Sequence, residues 1–170
     1  MLKTEIKFGI ITGTGLCLWI LAEYLLGLHS TRMHIGEYTI YFSVIIPMVT
    51  IYLGLKEKRD KRLNGKFSFR SGIKAGLMIS LIAAIITTLF LIFYFNYINP
   101  QYADIGVAFY KGKVIQSGKT AIQQTEELEN IKRMFGFINQ LLFGVIGTIG
   151  TGLIISAGVS YFLKKKHIVS

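Results

Sequence analysis

Apolar residues gather in four long runs, over residues 6–28, 39–55, 71–98 and 135–163, and most polar residues fall between them. Each run predicts a membrane-crossing helix. The first has 23 residues, which reaches roughly 34 Å and covers a hydrocarbon core of ~30 Å with some tilt. The second has 17 residues, near the lower limit for a span. Pro47 in its middle lacks a backbone donor and predicts a kink there. Segment 99–134 is too long for a bare loop and too polar to cross. Asn99-Pro100 has the chemistry of a helix start, and Ile122, Leu128, Ile131 and Phe135 recur at helical spacing. Two short amphipathic helices on the outer surface are expected there.

Small residues recur at every fourth position inside the runs. Gly9 and Gly13 do so in the first, and Gly72, Gly76, Ser80, Ala84 and Thr88 in the third. In the fourth run Gly144, Thr148, Gly152, Ser156 and Ser160 step along one side, after Gly136 and Gln140. A four-residue step turns a helix through about 400°, so such a stripe stays on one face over several turns. These faces are predicted to pack helix on helix. Gly9…Gly13 and Gly72…Gly76 open their spans alike, which hints at a parallel two-plus-two repeat.

Charge fixes the expected orientation. Segment 56–70 links the second and third runs and carries Lys56, Lys58, Arg59, Lys61, Arg62, Lys66 and Arg70, with Lys74 just beyond, against Glu57 and Asp60. A basic loop between spans is held on the cytoplasmic side, so both termini are expected there too, in an inner membrane. Lys164, Lys165 and Lys166 close the last run on the same side. The net charge of +10 is therefore a topology signal and an attraction to anionic lipid headgroups, not a nucleic-acid footprint. Mean hydropathy of +0.51 and 16% charged residues, against about 25% in soluble domains, agree with that class. The single cysteine, Cys17, provides neither a disulfide framework nor a thiolate metal site. The first apolar run exceeds the ~7–15 residues of a signal peptide and no A-x-A-like site follows it, so it reads as a retained helix.

Candidate chemistry is sparse. Glu23 is the one acid within a span, about five residues from its outer end, and an acid at such depth can mark function. Ser43, Asn139 and Gln140 fall at comparable depth, so a polar cluster of Glu23 with Asn139 or Gln140, near Ser43, is one reading; separate snorkelling is the other. His29, His34 and Glu37 share the first outer loop, a set that can bind zinc, yet their spacing matches no strong metal signature. The glycine-rich fourth run has no G-x-x-x-x-G-K-[ST] pattern and reads as packing. No cofactor and no catalytic constellation is indicated.

Several further features occur together along the chain: Gly9…Gly13, Glu23 followed by Gly27-Leu28-His29, Ile46-Pro47, Leu55-Lys56-Glu57-Lys58-Arg59, Phe69-Arg70-Ser71-Gly72 and Asn99-Pro100-Gln101-Tyr102. In this order they resemble domain of unknown function family 4199, bacterial multi-pass membrane proteins. The resemblance implies four helices and a membrane location, and brings no activity or cofactor. The expected fold is an all-α, four-helix transmembrane bundle forming a single domain. Its expected role is a non-enzymatic assembly, accessory or envelope component working through helix contacts. The alternative is a small transporter or channel formed by a homodimer, with Glu23 near the path. Lipid, anionic headgroups and another membrane protein are the expected partners.

Overall fold

The computed structural model describes residues 3–63 and 66–164, apart from the side chains of Ile40 and Arg62. In order it contains α1 (Lys3–Leu25), α2 (Met33–Ser43), α3 (Ile45–Arg62), α4 (Phe69–Phe93), a π-helical turn (Tyr94–Ile98), α5 (Tyr102–Ile115), α6 (Ala121–Phe135) and α7 (Phe137–Lys164). No strand occurs among the described residues. Four helical stretches are long and apolar enough to cross a membrane: Lys3–Leu25, Met33–Lys61, Phe69–Ile98 and Phe137–Lys164. α1, α4, α7 and α3 pack in that order around a ring, and α3 also meets α4 across the middle. One end of the bundle carries the Lys/Arg-rich segment (the basic end); the other carries the α5–α6 hairpin (the hairpin end).

The basic end is closed by side-chain packing. Phe8, Ile51, Leu55, Phe67, Ala75, Ile79 and Leu163 form one buried cluster drawn from all four long helices and the α3–α4 connection. The small-residue stripes of α4 and α7 interlock there. A β-carbon at Gly72 would overlap the Ser160 hydroxyl, one at Gly76 the Ser156 side chain, and one at Gly152 the Ser80 hydroxyl. Ser80 and Ser156 donate to carbonyls of their own helices, Gly76 O at 2.9 Å and Gly152 O at 2.5 Å, so both fit the seam without seeking partners across it. On the other side of α4, β-carbons at Gly9 and Gly13 would lie only 2.6 and 2.9 Å from Ile82 and Ile86 Cβ. The two similar glycine pairs thus serve different contacts, α1 with α4 and α4 with α7.

Three local features depart from the expected pattern. The second span starts at Met33, well before residue 39, and is broken between α2 and α3 at Val44. The break lies just before Pro47, because proline offers no N–H to the carbonyl four residues back, at Ser43, and its ring crowds that carbonyl. The expected basic loop is largely helix: α3 runs on through Arg62, leaving a short connection to Ser68, the N-cap of α4, whose side chain accepts from Ser71 N. Asn64-Gly65, a dipeptide that by sequence marks a turn, lies outside the described residues. The helix after the third span begins at Tyr102 with Gln101 as its N-cap, two residues later than Asn99.

The α3 extension places its charges against α1. Lys58 Nζ donates to Glu5 Oε1 at 2.5 Å, and Lys7 Nζ to Glu57 Oε2 at 2.7 Å. Lys58 is only 13% exposed against Glu5, and Arg59 is paired with Asp60 at 2.6 Å. Lys56, Lys61 and Lys164 are exposed. The Arg62 side chain, Lys165 and Lys166 lie outside the described residues.

At the hairpin end α5 and α6 form a helical pair with its own small core of Met33, Val114, Ile131 and Phe135. Thr120 and Gln123 make a reciprocal capping box at the start of α6. Gly106 admits the Phe135 ring, which a β-carbon would displace. Lys113 Nζ bridges both Glu37 oxygens at 2.7 Å, tying α5 to α2.

Candidate functional site

α1 stops at the hairpin end with glycine chemistry. Gly27 sits at φ +73°, where a β-carbon would be strained. Leu28 N donates to Glu23 O and Gly27 N to Tyr24 O, both at 2.9 Å. This pair of bonds is a Schellman cap. It reverses the chain so that His29 comes back over Glu23, placing Nε2 3.4 Å from Glu23 Oε2. The other carboxylate oxygen accepts from the Thr39 hydroxyl of α2.

The opposite wall comes from the π turn. Tyr94 opens that turn, is only 1% exposed, and lies with its hydroxyl 2.6 Å from His29 Nδ1. Asn99 Nδ2 donates to the same hydroxyl oxygen at 3.0 Å. With its oxygen accepting from Asn99, the Tyr94 O–H can donate to Nδ1, and in that tautomer the imidazole proton sits on Nε2, towards the carboxylate. The polar chain then runs one way, from Asn99 through Tyr94 and His29 to Glu23. Single π turns recur at functional positions, and here the turn sets the Tyr94 register. Tyr102 of α5 roofs the network edge-on to His29, with ring centroids 5.4 Å apart. Burial, and secondarily the Glu23 charge, push the Tyr102 hydroxyl up to about 12.

Below this network lies a cavity of about 350 Å³ in the hairpin-end half of the bundle. Leu16, Trp19, Ile20 and Glu23 of α1 line one side, as residues three and four apart on one helix face must. Pro47 of α3 and Thr87 and Leu91 of α4 contribute further walls, with Gly144, Gly147, Thr148 and Thr151 on α7. The helix break at Val44 and the buried acid Glu23 thus border the same cavity.

The structure divides the expected polar cluster. Glu23, Ser43 and Gln140 line the same cavity. Asn139 does not: its amide donates to Arg133 O at 2.5 Å, beside Gln140, which donates to Met134 O at 2.9 Å. The two amides satisfy carbonyls at the end of α6, where the α6–α7 corner leaves them without helical donors. The hydrogen-bond partner of Glu23 is Thr39, with His29 at ion-pair distance, rather than either amide. Among the described residues no group of three His, Cys, Asp or Glu could hold a metal ion. His29 faces Glu23 and Tyr94, whereas Glu37 is engaged by Lys113, so the first-loop residues do not converge. Of the expected packing residues, Gly9, Gly13, Gly72, Gly76, Gly152 and Ser156 lie in helix contacts; Gly144 and Thr148 line the cavity. Thr39, Tyr94 and Trp19 were not expected in the site, and Asn99 was expected only as a helix start, although Gly27 directly before Leu28-His29 is a legible cap signal.

Four apolar helices closed by small-residue seams define a multi-pass α-helical membrane protein. The chain belongs to the family described as Protein of unknown function (DUF4199), whose model matches residues 7–165. No curated protein and no solved structure matches it.

Proposed function

We propose that this is a non-enzymatic accessory protein of the inner membrane whose helix contacts hold a binding cavity for a small molecule. One observation carries the reading: a buried carboxylate, Glu23 (8% exposed), lines a cavity that ends against a closely packed half-bundle. Ligand sites of about 300–1,000 Å³, mostly apolar with a few polar groups, are the usual form of such a pocket. Binding is favoured over catalysis because both His29 nitrogens and both Glu23 oxygens already face protein partners. His29 is therefore not presented to a substrate as a base, and Glu23, held in this network, offers only its remaining lone pairs for a hydrogen bond. In this reading the basic end lies in the cytoplasm with both termini, and Lys56, Lys61 and Lys164 meet anionic headgroups.

The second reading is a dimeric transporter, favoured by the cavity reaching Glu23. It requires a path through Phe8, Ile51, Leu55 and Ile79, which are packed together. Purification from native membranes in mild detergent, followed by native mass spectrometry, tests the proposal. One small-molecule adduct per chain is expected, and its consistent absence overturns the binding role. Water-accessible labelling of a cysteine placed at Ile79, in a Cys17→Ser background, would support transport instead.

A further inference from the structure

We infer that the cavity receives the hydroxyl end of an uncharged, single-chain amphiphile that enters sideways from the bilayer. This rests on the cavity being a ligand site, as proposed above. The indole N–H of Trp19 is buried and finds no hydrogen-bond partner among the described residues. A buried donor left so is costly, and native structures rarely keep one without a reason. Trp19 lines the cavity one helical step of four residues before Glu23, so the ring that carries the unsatisfied donor and the residue that carries the carboxylate share one wall.

That pair selects a head group. An ammonium has donors for Glu23 but no acceptor for the indole. A carboxylate accepts from the indole but has no proton for Glu23, and it brings like charge beside it. An alkane does neither. A hydroxyl accepts from one and donates to the other. The body of the ligand is set by the apolar side chains around the pair, Leu16, Ile20, Leu91 and Phe143.

The route is set by the side wall. Val44, at the α2–α3 break, and Gly147 of α7 both line the cavity and are both exposed. A β-carbon at Gly147 would meet nothing within 4 Å. The wall therefore opens towards lipid between α3 and α7, whereas Tyr94, Phe95 and Tyr102 close the hairpin end.

The chain has one tryptophan, so its emission reports on the site directly. The full-length protein in phosphatidylcholine nanodiscs is titrated with 1-decanol, decylamine, decanoate and decane. A saturable emission change with 1-decanol is expected, at least tenfold tighter than with the other three. Glu23→Ala should weaken it about tenfold. Gly147→Leu should abolish it with no fall in melting temperature, while Gly158→Leu, at another open glycine outside the cavity lining, should leave it intact. Decylamine or decane binding as tightly as the alcohol overturns this inference and leaves the ligand site standing. So does silence from all four probes while a co-purified adduct is present. Silence together with no adduct overturns both.

Discussion

α1 buries a glutamate near each end, and the two are treated differently. Glu5, at the basic end, faces Lys58 at 2.5 Å inside packed surroundings, and its second oxygen is buried with no hydrogen-bond partner among the described residues. Glu23, at the hairpin end, faces the Thr39 hydroxyl and the His29 imidazole at the edge of a cavity. The same contrast runs along α7. At Gly152 it takes in the Ser80 side chain, at Ser156 and Ser160 it fills the spaces of Gly76 and Gly72 on α4, and at Gly144 and Thr148 it lines the cavity, with Leu91 against Gly144. Absence of a side chain lets two backbones close when the facing residue is also small. Where the facing residue is as large as Leu91, the same small residues border the cavity instead. One stripe therefore seals one half of the bundle and opens the other.

The largest test of that difference is charge removal. Lys58→Met leaves Glu5 as an uncompensated buried carboxylate, a change that costs about 3–5 kcal/mol. A large fall in melting temperature in nanodiscs is expected. Lys56→Met, at an exposed position, should stay within about 0.5 kcal/mol of the parent. Equal effects would show that Lys58 is no more than another surface cation.

Bulk is the next lever. Gly76→Leu drives a side chain into Ser156, and overpacking of this kind costs about 1–3 kcal/mol or more. Gly147→Leu meets open space and removes a mid-helix glycine, worth roughly 0.5–1 kcal/mol in the other direction. Melting curves of the two should move oppositely. A similar loss in both would mean that the hairpin-end half is packed as closely as the basic end.

Glu23→Ala should have a smaller effect on stability, about 1 kcal/mol, the lower part of the usual range for losing a buried partner. Thr39 keeps its second acceptor, Gly36 O at 2.9 Å, which limits the loss. Glu23→Gln should cost less still, since an amide oxygen can accept from Thr39. Thermal unfolding of the pair checks both; a loss as large as that of Lys58→Met would place Glu23 in the structural framework rather than at a ligand site.

Class and helix count were legible because the period and length of apolar runs are local properties. The small-residue seams were legible for the same reason, but their two uses were not. Whether Gly144 faces a void or a neighbour depends on Leu91, more than fifty residues away in sequence. Glu23 stood out because an acid in an apolar run is costly by itself. Its partners did not, since they depend on the reversal at Gly27 and on the π turn that orients Tyr94. Asn139 and Gln140 were placed at a suitable depth but turn to the end of α6, because a sharp helix–helix corner leaves carbonyls that nearby amides satisfy first.

The finest test concerns the roof of the cavity. Tyr102 is held up to about 12, first by burial and then by the Glu23 charge. Its ordinary value is near 10. Below that pH both folded and unfolded chains keep the proton, so Tyr102 adds no pH dependence. Between about 10 and 12 the unfolded chain releases it and the folded chain does not, so stability should fall as pH rises through this window. Tyr102→Phe should flatten that fall, and the difference in phenolate absorbance between parent and variant should show a late titration step. Glu23→Gln removes the smaller of the two causes and should move the step only slightly towards 10. A shift all the way to the ordinary value would make the carboxylate, not burial beneath the hairpin, the dominant influence on that end of the molecule.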